Sequence, residues 1–439
     1  MSKKIAPGSQ EERFAAFIER LAEAAGHEDR RIPLKNYCRG LLLPGERKSV
    51  EPMAARLAGE NVERMHQSLH HVVADAPWSD EAVLGRCLET VIPAMLREEP
   101  IVAWVVDDTG FPKKGKESVG VTRQYCGQVG KQENCRVAVS LSVTTEKASM
   151  PVAFRLYLPE TWIKDRKRRD RTGVPKEIRF QTKPEIALEQ IRRARERHLP
   201  EGVILADAGY GNDTKFRLEL AKMGMSYAVG IQSTTSVWKP GEEPKPAPPR
   251  KSSTGRPRKL LQRDAQHHPV SVKELARSLP ANAWKEVIWR EGVKQSLQSR
   301  FAVLRIRPAH RDYWRAEAYP EEWLLIEWPS GESEPTKYWL STAPADIDLP
   351  DLVHLAKHRW IIERDYQELK QELGLGHYEG RGWRGFHHHA TLCLAAYGFL
   401  VAERSLFFPS ARSGHLGLPT PPRPAGYRPR GSPGSSRAA

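Results

Sequence analysis

Three acidic residues stand where a chain can turn them to chemistry. Asp108 follows the apolar run Ile101-Val102-Ala103-Trp104-Val105-Val106, Asp207 follows Val203-Ile204-Leu205-Ala206, and Glu363 lies in a long helical pattern. Carboxylates supplied by separate elements suit two hard divalent cations held about 3.5–4 Å apart by oxygen ligands. Such cations lower the pKa of an attacking water or hydroxyl and stabilise the oxygen leaving phosphorus. Without them, clustered carboxylates repel one another and any polyanion nearby. Asp107 competes with Asp108 for the first place, and a shift of one residue changes the face of a strand. Arg359, Glu363, Tyr366 and Lys370, at offsets of four, three and four, share one helical stripe. Arg359 and Glu363 alone would also suit an exposed i,i+4 ion pair.

The elements that must carry these residues follow from periodicity. Residues 10 to 76 read as short helices, with Phe14, Phe17, Ile18 and Leu21 at three- to four-residue spacing. At Pro100 the pattern becomes a strand that ends in Asp107-Asp108 and a turn containing Gly110 and Pro112. Strands over Val137 to Thr144 and Val152 to Leu158 come next, then a helix from Pro184 to about His198. A strand over Val203 to Ala206, a helix over Thr214 to Met223 and a strand over Tyr227 to Ile231 complete the series. Three strands in succession imply an antiparallel meander, and the later strand-helix-strand units add a parallel edge. In such a mixed sheet the first and fourth strands can lie side by side, bringing Asp108 towards Asp207. Residues 284 to 340 alternate like strands and contain Trp284, Trp289, Trp314, Trp323, Trp328 and Trp339, mostly as packing residues, although one could stack on an unpaired base. A last pair of helices is expected over Asp351 to Leu373, stopping before Gly374, and over Ala390 to Val401.

Lys and Arg total 69 against 54 Asp and Glu, a net charge of +15, which favours a polyanion partner, nucleic acid before an acidic membrane surface. The 439 residues suggest about two to four domains, and 39% hydrophobic content supports real cores. No run of about 18 consecutive apolar residues is present, so a cytoplasmic, nucleoid-associated protein without a membrane partner is expected. Five scattered cysteines argue against a disulfide framework. Cys126 with Cys135, and His387-His388-His389 with Cys393, are weak half-sites for a metal; the histidines read better as the start of a helix near DNA or solvent. Lys164, Arg166, Lys167, Arg168, Arg169 and Arg171 form a basic run suited to phosphates. Gly255-Arg256-Pro257-Arg258 has the form of a minor-groove hook, within a Pro- and Lys-rich stretch that also reads as a solvated linker.

The chain resembles the bacterial insertion-sequence DDE transposases of the IS-four superfamily, in the IS-seven-hundred-and-one-like branch, which have an RNase H-like core. The resemblance rests on Val106-Asp107-Asp108-Thr109-Gly110-Phe111-Pro112-Lys113-Lys114-Gly115, Ser118-Val119-Gly120-Val121 and Arg123-Gln124-Tyr125-Cys126-Gly127. It continues through Gly173-Val174-Pro175, Thr182-Lys183-Pro184, Ala206-Asp207-Ala208-Gly209-Tyr210-Gly211 and His358-Arg359-Trp360-Ile361-Ile362-Glu363 to Lys370, and covers roughly residues 30 to 405.

The resemblance implies an α/β fold: an RNase H-like mixed β-sheet flanked by helices, interrupted by a β-rich insertion domain, with a helical N-terminal region. It implies catalytic core over 98–232 and 349–405 with a basic linker and insertion over 233–348; periodicity gives a helical region over 1–97 that contacts DNA or dimerises, and Pro-, Gly-, Ser- and Arg-rich composition a disordered tail over 406–439. The acidic triad maps to Asp108, Asp207 and Glu363, with Asp108 preferred to Asp107 because the superfamily's metal-binding Asp is commonly followed by Thr, here Thr109. Two Mg²⁺ ions, with Mn²⁺ as a substitute, are the implied cofactors. Arg359 and Lys370 match the basic members of the superfamily's Tyr-Arg-Glu-Lys signature and would grip phosphates, as would Lys164, Arg166, Lys167, Arg168, Arg169, Arg256 and Arg258. The signature Tyr falls at Ala356, a departure for which Tyr366 and His358 are the candidate replacements. The implied partners are double-stranded DNA, as element ends and target, and a second copy of the chain. The alternatives are an inactive copy that only binds ends and a stand-alone metal-dependent nuclease.

Overall fold

The computed structural model describes residues 8–97, 99–247, 259–290 and 296–407. Five helices open it: α1 (Gln10–Ala24), α2 (Glu28–Leu42), α3 (Val50–Leu57), α4 (Val62–Ala74) and α5 (Asp80–Met95). Ser9 and Glu12 form a reciprocal capping box that starts α1, and Phe17, Ile18 and Leu21 turn its apolar face inward. Strands β1 (Ala103–Pro112), β2 (Thr122–Cys126), β3 (Lys131–Thr144) and β4 (Ser149–Leu156) follow, then the short helices α6 (Glu160–Lys164) and α7 (Arg166–Arg171) and the longer α8 (Lys183–Glu196). After β5 (Val203–Ala206) come α9 (Ala208–Gly211), α10 (Thr214–Lys222) and β6 (Tyr227–Ile231). The segment beyond contributes β7 (Ser236–Trp238), β8 (Val270–Ser271), α11 (Val272–Arg277), β9 (Lys285–Arg290), β10 (Leu297–Pro308), β11 (Glu322–Pro329) and β12 (Lys337–Ser341). The chain closes with α12 (Leu349–Lys357), α13 (Ile361–Gln371) and α14 (Trp383–Phe407).

The strands make one mixed sheet in the order β2-β3-β1-β5-β6-β12-β11-β10-β7-β8, with β4 on β3 and β9 on β10. As expected, the first strand and Val203–Ala206 are parallel neighbours, Ala103 opposite Val203. The strand β1 does not end at Asp107-Asp108. It runs on to Pro112 because β3 is long enough to pair antiparallel with all of it, from Thr144 opposite Ala103 to Cys135 opposite Pro112. The ladder thus overrides the poor strand propensity of Asp and Gly. The β-rich segment is not a detached sheet: β12 pairs with β6, Tyr338 opposite Ile231, so its strands extend the same sheet.

Alternation divides β1 between two faces. Trp104 and Val106 join the large core with Ile186, Ala187 and Ile191 of α8, whereas Ala103 and Val105 pack with Leu355, Ile361 and Ile362 beside α13. The helix expected over Asp351 to Leu373 is broken: a 3-10 turn, His358–Trp360, separates α12 from α13. Asp365 fixes α13 from the buried side, accepting hydrogen bonds from Ser149 on β4 and from Tyr397 on α14 at 2.7 Å. Lys357 is tied to Glu327 of β11 by two bonds of 2.9 Å.

Helix α14 is the one described helix long and apolar enough to cross a membrane, but 72% of its most apolar window is buried in the fold, against α2, α4, α5 and β4. Its three histidines are core residues and do not face solvent. His387 touches the Trp383 carbonyl and the Leu156 N–H, His388 stacks on Trp78 with ring centroids 3.6 Å apart, and His389 lies between Tyr37 and Gly374. The Tyr37 hydroxyl donates to Nδ1 of His389 at 2.9 Å, and Nε2–H donates to the Gly374 carbonyl at 3.0 Å, a fully satisfied neutral imidazole.

Burial pushes His389 down to about 3, against an ordinary histidine value near 6.5. Between those values the unfolded chain takes up a proton that the folded chain refuses, so stability is complete above about pH 6.5 and falls as pH drops. The slope from this residue is at most about 1.4 kcal/mol per pH unit. Thermal denaturation between pH 7.5 and 5 should show it, and His389→Gln should flatten the profile while lowering stability at pH 7.5; an unchanged slope would count against the assignment. Asp365→Ala should cost about 1–3 kcal/mol in a denaturant titration, because two hydrogen bonds are lost with their buried donors left behind.

Candidate active site

Asp107 sits in the middle of β1 on the α13 face, opposite Ser140 of β3. Its carboxylate meets the Arg359 guanidinium at 3.0 Å. Burial raises the Asp107 pKa to about 6 in spite of that contact, and the nearby charges of Asp207 and Asp108 push the same way. Arg359 is lowered by its own burial, but the charges of Asp107, then Asp207, then Glu363 outweigh this and raise it. One guanidinium in the 3-10 turn thus feels carboxylates from β1, from the end of β5 and from α13.

Asp207 is placed by a tight local structure. It caps α9, accepting the Gly209 N–H at 2.9 Å, and α9 lies so close to β6 that a β-carbon at Gly211 would overlap the Gly230 carbonyl. The Ala-Asp-Ala-Gly-Tyr-Gly sequence is therefore the geometry of this turn. Glu363 stands exposed on the first turn of α13. The donor set is three carboxylates from three elements, with a buried member whose charge is opposed by its acidic neighbours. Hard oxygen ligands that repel one another fit divalent cations such as Mg²⁺.

Asp108 points the other way. It is held on the α8 face by Lys183 at 2.9 Å and by the Tyr210 hydroxyl at 3.4 Å. Asp107 thus contacts Arg359 directly, Asp207 and Glu363 act on the same guanidinium through their charge, and Asp108 pairs with Lys183 on the other face. Lys183 belongs to the Thr182-Lys183-Pro184 motif, and the Thr182/Glu185 capping box that starts α8 marks it as the head of that helix.

Tyr366 and His358, the two candidates to replace the Tyr absent at Ala356, part company. The Tyr366 hydroxyl is hydrogen-bonded to Ser140, the cross-strand partner of Asp107, and burial, then the Asp107 charge, raises its pKa far above the ordinary value. His358 turns away to Thr144 at 3.1 Å. Ala356 is buried with Val287 and Phe301 under α12. Lys370 reaches the Gly110 carbonyl at 2.9 Å and Gln128 at 3.1 Å, so the helical stripe lies along β1. Burial lowers Lys370 to about 8.

The basic run is helical, in α6 and α7, and its members differ. Arg166 and Lys167 are exposed, and Lys164 is exposed beside Glu160 at 2.7 Å. Arg168 stacks over Trp162 at 3.8 Å, Arg169 donates to the Pro175 and Ile178 carbonyls at 3.0 Å, and Arg171 pairs with Glu117. Among the tryptophans of the β-rich segment, Trp314 is the one with an exposed ring, at 61%. Cys126 and Cys135 are buried together with Val137, with no histidine or carboxylate grouped with them among the described residues. Arg256 and Arg258 lie outside the described residues.

Comparison with known proteins places the chain in a family. A curated relative, a probable transposase for insertion sequence element IS701 from Microchaete diplosiphon, is 31% identical over 193 residues. The match covers 44% of this chain and 46% of that protein. A family profile described as DDE superfamily endonuclease matches residues 20–296, a span that holds β1 and its two aspartates, α8, β5 and Asp207. The chain belongs to the DDE superfamily of endonucleases.

Proposed function

We propose that the protein is a transposase that binds the terminal inverted repeats of an insertion sequence, cleaves them by phosphodiester hydrolysis and joins the 3′ ends to target DNA. The observation that carries this reading is the Asp107–Arg359 ion pair, with the charges of Asp207 and Glu363 acting on the same guanidinium, in a chain of net charge +15. Asp107 takes the first place of the triad in preference to Asp108, whose carboxylate is committed to Lys183 across the sheet. The chemistry that a pair of bound Mg²⁺ ions, or Mn²⁺ in their place, supplies here is a lowered pKa for the attacking oxygen and charge stabilisation for the leaving one.

The chain's own residues supply the rest. Asp107, Asp207 and Glu363 hold the cations. Arg359 offsets the carboxylates and offers its remaining N–H donors to a phosphate beside the scissile bond. Tyr366, anchored by Ser140, walls the Asp107 side of the site. In the first step water attacks phosphorus, the P–O bond to the 3′ oxygen breaks and a 3′ hydroxyl is released. In the second that hydroxyl attacks a target phosphodiester, loses its proton and displaces the target's 3′ oxygen. Lys164, Arg166, Lys167 and Lys370 extend the grip on the phosphate backbone, and Trp314 offers a face on which an unpaired base stacks. Pairing two element ends calls for two copies of the chain, with the N-terminal helices over 1–97 as the DNA-contacting or dimerising part.

Incubating the purified chain with Mg²⁺, element-end duplex and a target plasmid should yield joined product. End binding without joining under any condition would sink the transposase reading, and cleavage without joining would make the protein a nuclease. Asp107→Asn, Asp207→Asn and Glu363→Gln should each lower cleavage roughly 100- to 1,000-fold with binding nearly intact. Asp108→Asn should lose far less; if it is inactive while Asp107→Asn cleaves normally, the triad assignment is reversed. Replacing Arg166 and Lys167 together by Ala should weaken binding equally for all sequences and reduce the slope of log affinity against log salt by about 1.8, for two phosphate contacts.

A further inference from the structure

On the far side of the 3-10 turn from its DNA-facing carboxylates, the protein gathers a second set of metal-binding groups. His354 of α12 and His358 of the turn are four residues apart, and both face the tight turn between β3 and β4. Glu146 stands at the tip of that turn, which is closed by bonds from Thr145 N–H to the Ala148 carbonyl at 2.8 Å and from Ala148 N–H to the Thr145 hydroxyl at 3.1 Å. The donor atoms of Glu146, His354 and His358 lie within 4.8 Å of one another, and His354 Nε2 is 2.9 Å from the Glu146 carboxylate. Ligands of a tetrahedral zinc ion with bonds of about 2.0–2.1 Å are roughly 3.3 Å apart, so small side-chain rotations suffice.

The surroundings suit a transition metal. The Thr144 hydroxyl, which donates to the Ala103 carbonyl at 3.1 Å, also lies 3.1 Å from Nε2 of His358 and so fixes the orientation of that ring. His358 is buried, and a neutral imidazole is the form a metal binds. Glu99 adds negative charge within range of His358, and one of its carboxylate oxygens is buried without a hydrogen bond. Two imidazoles and a carboxylate, with a fourth position for water, select Zn²⁺ over Mg²⁺.

We infer that Glu146, His354 and His358 form a zinc site that staples α12 and the 3-10 turn to the β3–β4 hairpin, and so positions the adjoining Arg359. The site stands apart from the carboxylate triad and does not depend on what the triad cleaves.

The test is zinc binding by the full chain, followed by equilibrium dialysis and by the visible absorption of Co²⁺ as a zinc substitute. A D207N/E363Q background removes the triad as a competing site. One equivalent should bind tightly there, with a rise in melting temperature, and should be lost in Glu146→Ala and in His354→Ala, both half-buried positions whose circular dichroism should stay native. His358 is fully enclosed, so the two partly exposed variants carry the decision. The half-buried His66 and exposed His70 rings on α4, 6.3 Å apart, are the rival; His70→Ala should leave the equivalent in place. Binding that survives in His354→Ala and Glu146→Ala, or that disappears in His70→Ala, overturns the site. So does a chain that binds no equivalent of Zn²⁺.

Discussion

Carboxylates crowded on one face of a sheet repel one another, and the protein meets this cost with a single guanidinium. Arg359 is half-buried, contacts Asp107 directly and feels Asp207 and Glu363 as well. Its position is not that of an ordinary helical residue. It sits in a 3-10 turn between α12 and α13, and both helices are fastened independently: α12 through Lys357 to Glu327, α13 through Asp365 to Ser149 and Tyr397. A charge brought to a desolvated site must be held there, or the group would leave for water. The helical layer on this face is the means of holding it.

The strand β1 distributes the opposing demand. Consecutive aspartates on a pleated strand cannot face the same way, so Asp107 and Asp108 divide between the two faces. Each meets a cation from the layer that covers it, Arg359 on one side and Lys183 on the other. The sheet separates two ion pairs a single residue apart in sequence. Two adjacent acids in a central strand thus each have a cation of their own.

Much of the fold was legible before any coordinates. Strong apolar runs bounded by turn residues give β5 and β6 their limits, and element order allows β1 and β5 to be the neighbours that they are. What escaped was set by partners distant in sequence. Asp-Asp-Thr-Gly reads as a turn unless a long β3 lies alongside to continue the ladder. The His387–His389 run reads as polar until α5 and the other N-terminal helices close over α14. At the candidate site, alternation shows that Asp107 and Asp108 part, but not which face receives the last helices. That choice depends on where α13 docks, and a single sequence carries no record of it. The break at His358 escaped for a related reason: a helical stripe counted at 3.6 residues per turn has no place for a short tightened turn.

The neighbouring placement of β6 and β12 has a consequence for how such a chain could be built. Ile231 and Tyr338 are antiparallel partners at adjoining strand ends, the arrangement that a hairpin of two residues would satisfy. The long stretch between them is therefore a detour, which widens the same sheet through β8, β7, β10 and β11 before it returns beside β6. A shorter ancestor could close the same core with a tight turn, and a segment of foreign sequence could enter at that point without disturbing β1, β5 or α13. The join marks a seam along which the molecule can gain or lose a part while keeping its acidic centre.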